Sequence, residues 1–128
     1  MKKLNNIALI LTFVTLVACK KNGTGGDNAI AAFPKHHGTS IPNATVYIKY
    51  GATELPGVNA SDYDDAKIAV QEGTAAAHAH FEGLLKGDYY IYAVGYDSTV
   101  SEIVSGGIAV KVKTKTGEQD IDLPVTEL

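Results

Sequence analysis

From Ala29 to the C-terminus this chain never sustains a helical period: short runs of alternating apolar and polar residues are cut at regular intervals by Gly, Pro, Asn and Asp. A period of two sends one side chain into the core and the next into water, so each run reads as a half-buried strand. Several such strands in succession predict an all-β sandwich or barrel. The single cysteine excludes an internal disulfide. An apolar core must therefore hold the fold, in one domain of a size that buries roughly 65% of the surface its unfolded chain exposes.

The N-terminus follows a different rule. Lys2 and Lys3 precede an apolar run, Ile7 to Val17, that ends in "LVAC", Leu16 to Cys19. The run is shorter than the roughly 20 residues a membrane span needs, and its flanks are those of a secretory signal peptide over residues 1–18. "LVAC" resembles the lipobox of bacterial lipoproteins, which implies that Cys19 becomes the first mature residue and carries the lipid. Such an anchor tethers a protein to the bilayer, at about 0.8 kcal/mol per buried methylene, and leaves the folded part in water. Lys20 stands where an aspartate would resemble an inner-membrane retention signal, so the expected location is the outer membrane. "KKNGTGGDN", Lys20 to Asn28, is basic and then glycine-rich rather than acidic, which favours the periplasmic face. Residues 19–28 read as the lipidated cysteine and a flexible leash with a reach of about 16 Å, and residues 29–128 as the folded domain.

Removal of the signal peptide turns 11 basic and 14 acidic side chains into nine and 14, a mature net charge of −5. There is no arginine, so nucleic acid is excluded as a partner and bidentate clamping of phosphates or carboxylates is not available.

Within the domain, "AIAAFPKHH" reads as a first, irregular strand whose end Pro34 demotes to an edge or bulge. "ATVYIKY" sends Val46 and Ile48 inward, and "AKIAVQ" is expected to send Ile68 and Val70 inward. At the C-terminus "GGIAVKVKTKTGEQDIDLPV" predicts a hairpin about Thr116-Gly117. That register sets Lys115 against Glu118, Lys113 against Asp120 and Lys111 against Asp122 on the wet face. Val112 then meets Ile121, Val110 meets Leu123 and Ile108 meets Val125 on the dry one.

The order "IPNATVYI", a short strand ending in "AHF", then "GLLKGDYYIYAVGYD" resembles the transthyretin-like (prealbumin-like) domains known as carboxypeptidase regulatory-like, with their "G-x-F-x-x-L-x-x-G-x-Y-x-L" pattern. Ala79, Phe81, Leu84 or Leu85, Gly87, Tyr89 and Ile91 occupy its positions. The likeness spans about Ala29 to Leu128, and the glycine that opens the pattern is missing. It implies a seven-stranded antiparallel transthyretin-like or immunoglobulin-like β-sandwich, in which the strands on either side of "GLLKG" lie in opposite sheets. The strand bearing His78 and His80 would then lie beside the first strand, bringing His36 and His37 near them. Parity independently sends Ala77, Ala79, Phe81, Tyr89, Ile91 and Ala93 inward, and His78, His80, Tyr90, Tyr92 and Val94 outward.

Four converging histidines, His36, His37, His78 and His80, would suit Zn²⁺ or Cu²⁺. Outward Tyr47, Tyr90 and Tyr92 would suit a contact surface for a protein or carbohydrate. The three carboxylates of "SDYDD" lack the glycine and closing glutamate of a calcium loop, and read as a solvated turn. No "GxSxG", "HExxH", nucleophilic cysteine or phosphate loop is present. Transthyretin-related hydrolases use an arginine and a "YRGS" terminus, which this chain lacks. The expectation is a non-enzymatic, lipid-anchored binding module with no required cofactor. The competing expectation is a periplasmic metal-binding protein that uses the four histidines.

Overall fold

A computed structural model describes residues 22–113 and 117–128. The expected signal peptide, Cys19, Lys20 and Lys21, and the Lys115 and Thr116 positions of the expected hairpin turn lie outside the described residues. Two sheets pack face to face with no α-helix among the described residues, so the chain is an all-β sandwich. Its strands are β1 (Thr24–His36), β2 (Thr39–Ser40), β3 (Thr45–Tyr50), β4 (Asp65–Ile68), β5 (Ala79–Leu84), β6 (Gly87–Asp97), β7 (Glu102–Val112), β8 (Gly117–Pro124) and β9 (Thr126–Glu127). Seven have four or more residues, and β2 and β9 are two-residue additions.

One sheet carries β1 between β5 and β8, with β2 folded back on the end of β1. The other runs β4-β3-β6-β7-β9. Parity holds through the centre of the molecule. Ile30, Ala32, Val46, Ile48, Ala77, Ala79, Phe81, Tyr89, Ile91 and Ala93 are all buried. Each fully buried large apolar side chain contributes about 1.5–3 kcal/mol relative to exposure. As expected, β5 and β6 lie in opposite sheets, and β5 pairs with β1, Ala32 facing Ala79 and Ala31 facing His80.

The domain starts earlier than its hydrophobic pattern. β1 begins at Thr24, inside the stretch read as a leash, and Asn28 is buried with its Nδ2 donating to Leu84 O at 3.3 Å. Upstream, Asp88 N–H donates to Asn22 Oδ1 at 2.8 Å and Leu85 N–H to Gly23 O at 2.8 Å. Glycine-rich composition hid this segment because its order comes from backbone bonds rather than from apolar side chains. Pro34 is no edge residue: it is buried, it faces Leu123 of β8, and its carbonyl accepts the Ile41 N–H at 3.0 Å.

One expected pairing is corrected. β7 and β8 do not form a hairpin, for β8 crosses to the other sheet and runs parallel to β1 from Asn28↔Gly117 to Lys35↔Pro124. β7 pairs with β6 along its whole length, Gly87↔Val112 to Asp97↔Glu102. A hairpin would leave one edge of β1 without hydrogen-bond partners, whereas the crossover pairs both edges. It also keeps Val110, Val112, Leu123 and Val125 buried and Asp120 and Asp122 exposed, so alternation was satisfied either way. Ile108 stays 36% exposed.

On β4, Lys67 and Asp65 are the partners of inward-facing Val46 and Ile48, which puts Ile68 on the outer face. Ile68 and Val70 are about half exposed, and the buried residue is Ala69. Ala69 sits at a corner where the chain changes sheets, bonded to Asn43 and Ala44 on one side, while the next residue, Val70, exchanges hydrogen bonds with His78.

The crossover places Lys35 Nζ 2.7 Å from Asp122 Oδ1. A charge-reversal double-mutant cycle on Lys35 and Asp122 is expected to give a coupling of about 0.2–1 kcal/mol. The same cycle on Lys111 and Asp122 is expected to give none, and coupling only in the second cycle would restore the hairpin.

Candidate functional site

The histidines separate by parity. His36 continues the inward series Ile30, Ala32, Pro34 and is 2% exposed. His78 and His80 lie on the outer face of the same sheet, with ring centroids 4.6 Å apart and His78 5.0 Å from Phe33. His78 Nδ1 lies 2.9 Å from Ala76 O, and His80 Nδ1 lies 3.0 Å from Glu118 Oε2. The expected four-histidine cluster is therefore not formed, because the β-sheet itself stands between His36 and the His78/His80 pair.

A different group assembles where β1 ends. His36 Nδ1 is 2.7 Å from Asp97 Oδ2, in the last residue of β6. Asp97 is itself 3% exposed and accepts from Thr99 through both the backbone N–H, at 2.9 Å, and the hydroxyl, at 2.6 Å. These donors hold the Asp97 carboxyl down to about 2, the Thr99 hydroxyl contributing most and His36 next. The His36 imidazole is raised above its ordinary value, chiefly by Asp97, with burial opposing and Glu127 adding.

Two local devices bring the other members in. His37 and Gly38 form a two-residue turn between paired His36 and Thr39, with φ of 49° and 80°. Positive φ at both positions is what a type I′ hairpin turn requires, and histidine is among the side chains that tolerate it. The turn sets the two imidazoles 4.3 Å apart. At the C-terminus the chain passes from β8 to β9 against Gly106, where an added Cβ would lie 2.3 Å from Pro124 O. That close approach lets β9 pair with β7, Val104↔Glu127, and carries the Glu127 carboxylate to 3.1 Å from His36 Nε2 and 3.9 Å from His37 Nε2. Glu127 is held below the usual carboxylate range, first by its own backbone N–H and, against burial, by His36 and His37.

At 3.1 Å the carboxylate is near enough for a hydrogen bond but off the ring N–H direction, so His36 Nε2 is buried without a hydrogen-bond partner among the described residues. Sequence reasoning picked out His36 and His37 but missed Asp97 and Glu127. Parity alone could have turned His36 inward; nothing local in "VTEL" or "GYDST" announces the carboxylates, which arrive through the sheet topology.

The three tyrosines proposed as a contact surface are largely self-covered. Tyr47 and Tyr92 are cross-strand partners, and Tyr63, from the loop between β3 and β4, stacks on Tyr92 at 5.8 Å and 10° and lies 5.3 Å from Tyr47. Tyr92 is consequently only 6% exposed. Tyr90 is half-buried and lies over Gly107, whose missing Cβ would meet its ring. The "SDYDD" carboxylates bind the chain locally: Asp62 accepts from Asn59 N–H at 3.0 Å and Asp64 from Tyr50 N–H at 2.8 Å.

Comparison of the chain with family models, with curated proteins and with solved structures finds no match.

The stack has an alkaline signature. Burial, and then Tyr92, Tyr90 and Asp62, push the Tyr63 phenol up to about 12, and its hydroxyl donates to Gly57 O at 2.7 Å. A raised folded-state value means that this contribution to stability is complete below the ordinary value of 10.0 and is lost as pH rises through about 12. In an ultraviolet phenolate titration, Tyr63→Phe is expected to remove one late-ionising tyrosine. An unchanged late phase in that variant would contradict the stacked geometry.

Proposed function

We propose that the chain is a lipid-anchored outer-membrane lipoprotein whose β-sandwich is a non-catalytic binding module, transthyretin-like in kind and facing the periplasm. The anchoring half of this reading rests on the lipobox-like "LVAC" that ends at Cys19, and the described fold begins three residues later, at Asn22. Asn22 and Gly23 are already bonded to Asp88, Leu85 and Tyr89. Three residue steps separate Cys19 from Asn22, a span of at most about 11 Å. A lipid on Cys19 would therefore hold the body close against the bilayer by the end that carries Gly23, Leu85 and Asp88, not on a long leash.

Support for the transthyretin-like reading comes from the placement of the "AHF" and "GDYYIYAV" strands in opposite sheets and of β5 beside β1. The parallel β1–β8 pair departs from the purely antiparallel arrangement expected from the sequence. The proposed partner is a protein or a carbohydrate; of the three tyrosines, Tyr47 and Tyr90 keep part of their surface exposed, while Tyr92 is covered by Tyr63.

Lipid attachment is tested in a Gram-negative host by labelled palmitate and detergent phase separation. The wild-type chain is expected to incorporate label and enter the detergent phase, and Cys19→Ser to do neither. Incorporation by Cys19→Ser, or a wild-type chain confined to the aqueous phase, would refute the anchor.

A further inference from the structure

Where β1 ends, a buried strand residue, a strained turn residue and the penultimate residue of the chain present three ligating atoms within 4.8 Å of one another. We propose that His36, His37 and Glu127 form a binding site for a divalent transition-metal ion, zinc by the chemistry of its donors, with Asp97 fixing the orientation of the His36 ring. The site shares no residue with the lipid anchor and stands whether or not Cys19 is acylated.

The donor set is two imidazole nitrogens and one carboxylate oxygen. Calcium and magnesium favour all-oxygen sites, whereas mixed nitrogen and oxygen donors suit zinc and its neighbours. Bonds of 2.0–2.1 Å at tetrahedral angles place neighbouring ligand atoms about 3.3 Å apart. His36 Nε2 and Glu127 Oε1 are at 3.1 Å, and His37 Nε2 and Glu127 Oε1 at 3.9 Å. Closure on an ion draws together three ligand atoms that already lie within 4.8 Å of one another, and the movement falls on the two exposed members, His37 at 79% and Glu127 at 48%. His36 need not move.

Its ring is already set for the task. Nδ1 is committed to Asp97, which leaves Nε2 as the atom turned towards His37 and Glu127. A carboxylate holding the far nitrogen of a metal-bound imidazole is the recurrent way in which ring orientation and basicity are fixed. Nε2 has no aligned hydrogen bond among the described residues, although it is buried and a carboxylate stands 3.1 Å away. Positive charge between the nitrogen and that oxygen is what the arrangement lacks. A misaligned proton supplies it poorly, and a metal ion that takes the nitrogen lone pair and the carboxylate together supplies it well.

The backbone is shaped to the same end. His37 takes a left-handed conformation, φ 49°, uncommon for a residue with a side chain, and non-glycine residues in such conformations gather at ligand sites. Three protein ligands with one side open to solvent leave a coordination position for water or for a donor atom from another molecule.

The experiment uses the full-length, untagged protein in detergent, stripped with chelator and titrated with zinc chloride by calorimetry, with cobalt(II) absorption as a second readout. Wild type is expected to bind one ion per chain and to give the intense visible bands of tetrahedral cobalt. His37→Ala and Glu127→Gln, both at exposed positions, are each expected to weaken zinc by about tenfold or more and to lose those bands. Asp97→Asn is expected to weaken it by about 10–100-fold while one ion per chain is still bound. The His78→Ala/His80→Ala double variant is expected to bind as wild type. His36→Ala empties a core position and does not carry the test. A wild-type protein that takes up no zinc, or one whose zinc is lost in the His78/His80 variant but kept in His37→Ala and Glu127→Gln, would overturn the proposal.

Discussion

β1 and β6 face each other across the core and are tied together at both ends by buried polar contacts. At one end the Tyr89 hydroxyl accepts the Gly23 N–H at 2.9 Å and lies 3.1 Å from Gly23 O and 2.5 Å from Leu85 O. At the other end His36 meets Asp97. Between them Ile30 and Ala32 of one strand and Ile91 and Ala93 of the other are shut from solvent. Each strand is also paired on both edges, β1 by β5 and β8, β6 by β3 and β7. The sandwich is thus two central strands clamped face to face, with the other strands added to their edges.

Buried ionisable pairs are not in general a net gain in stability, since desolvation of two charges offsets their attraction. Asp97 escapes the worst of this because three donors converge on it, two of them from Thr99. Among the described residues His36 is hydrogen-bonded through one ring nitrogen only. The asymmetry is what the proposed metal site would relieve: a core that needed only to be stable would favour an apolar residue at the end of β1. The clamp also separates two ends of the molecule. The chain enters beside Gly23, and His36 lies 12 residues along β1 from Thr24, up to about 40 Å away at 3.3 Å per residue. On the proposed anchoring, the lipid sits at one end and the histidine–carboxylate group faces away from the bilayer at the other.

Much of this was legible in alternation. Val46 and Ile48, Ala77 to Phe81, and Tyr89 to Ala93 point where a period of two sends them, and the same rule, extended one step past Pro34, turns His36 inward. What alternation does not encode is partner choice. The C-terminal strands satisfy their dry and wet faces equally well as a hairpin or as a crossover, and the unpaired edge of β1 decides between them, a need that no local window contains. Order in "NGTGGDN" was hidden for a related reason, since backbone hydrogen bonds and a buried Asn28 hold it in place of apolar side chains. The candidate site combines both failures: His36 and His37 were visible as residue types, while Asp97 and Glu127 reach them only once the sheet order is known.

The clamp is tested most directly by proton exchange at its two ends, followed by nuclear magnetic resonance through the Tyr89 hydroxyl proton and the His36 Nδ1 proton. Both are expected to exchange with solvent only as slowly as the central amides of β6, through global unfolding. Rapid exchange of either proton while those amides remain protected would mean that β1 and β6 are not locked at their ends, and would contradict the clamp.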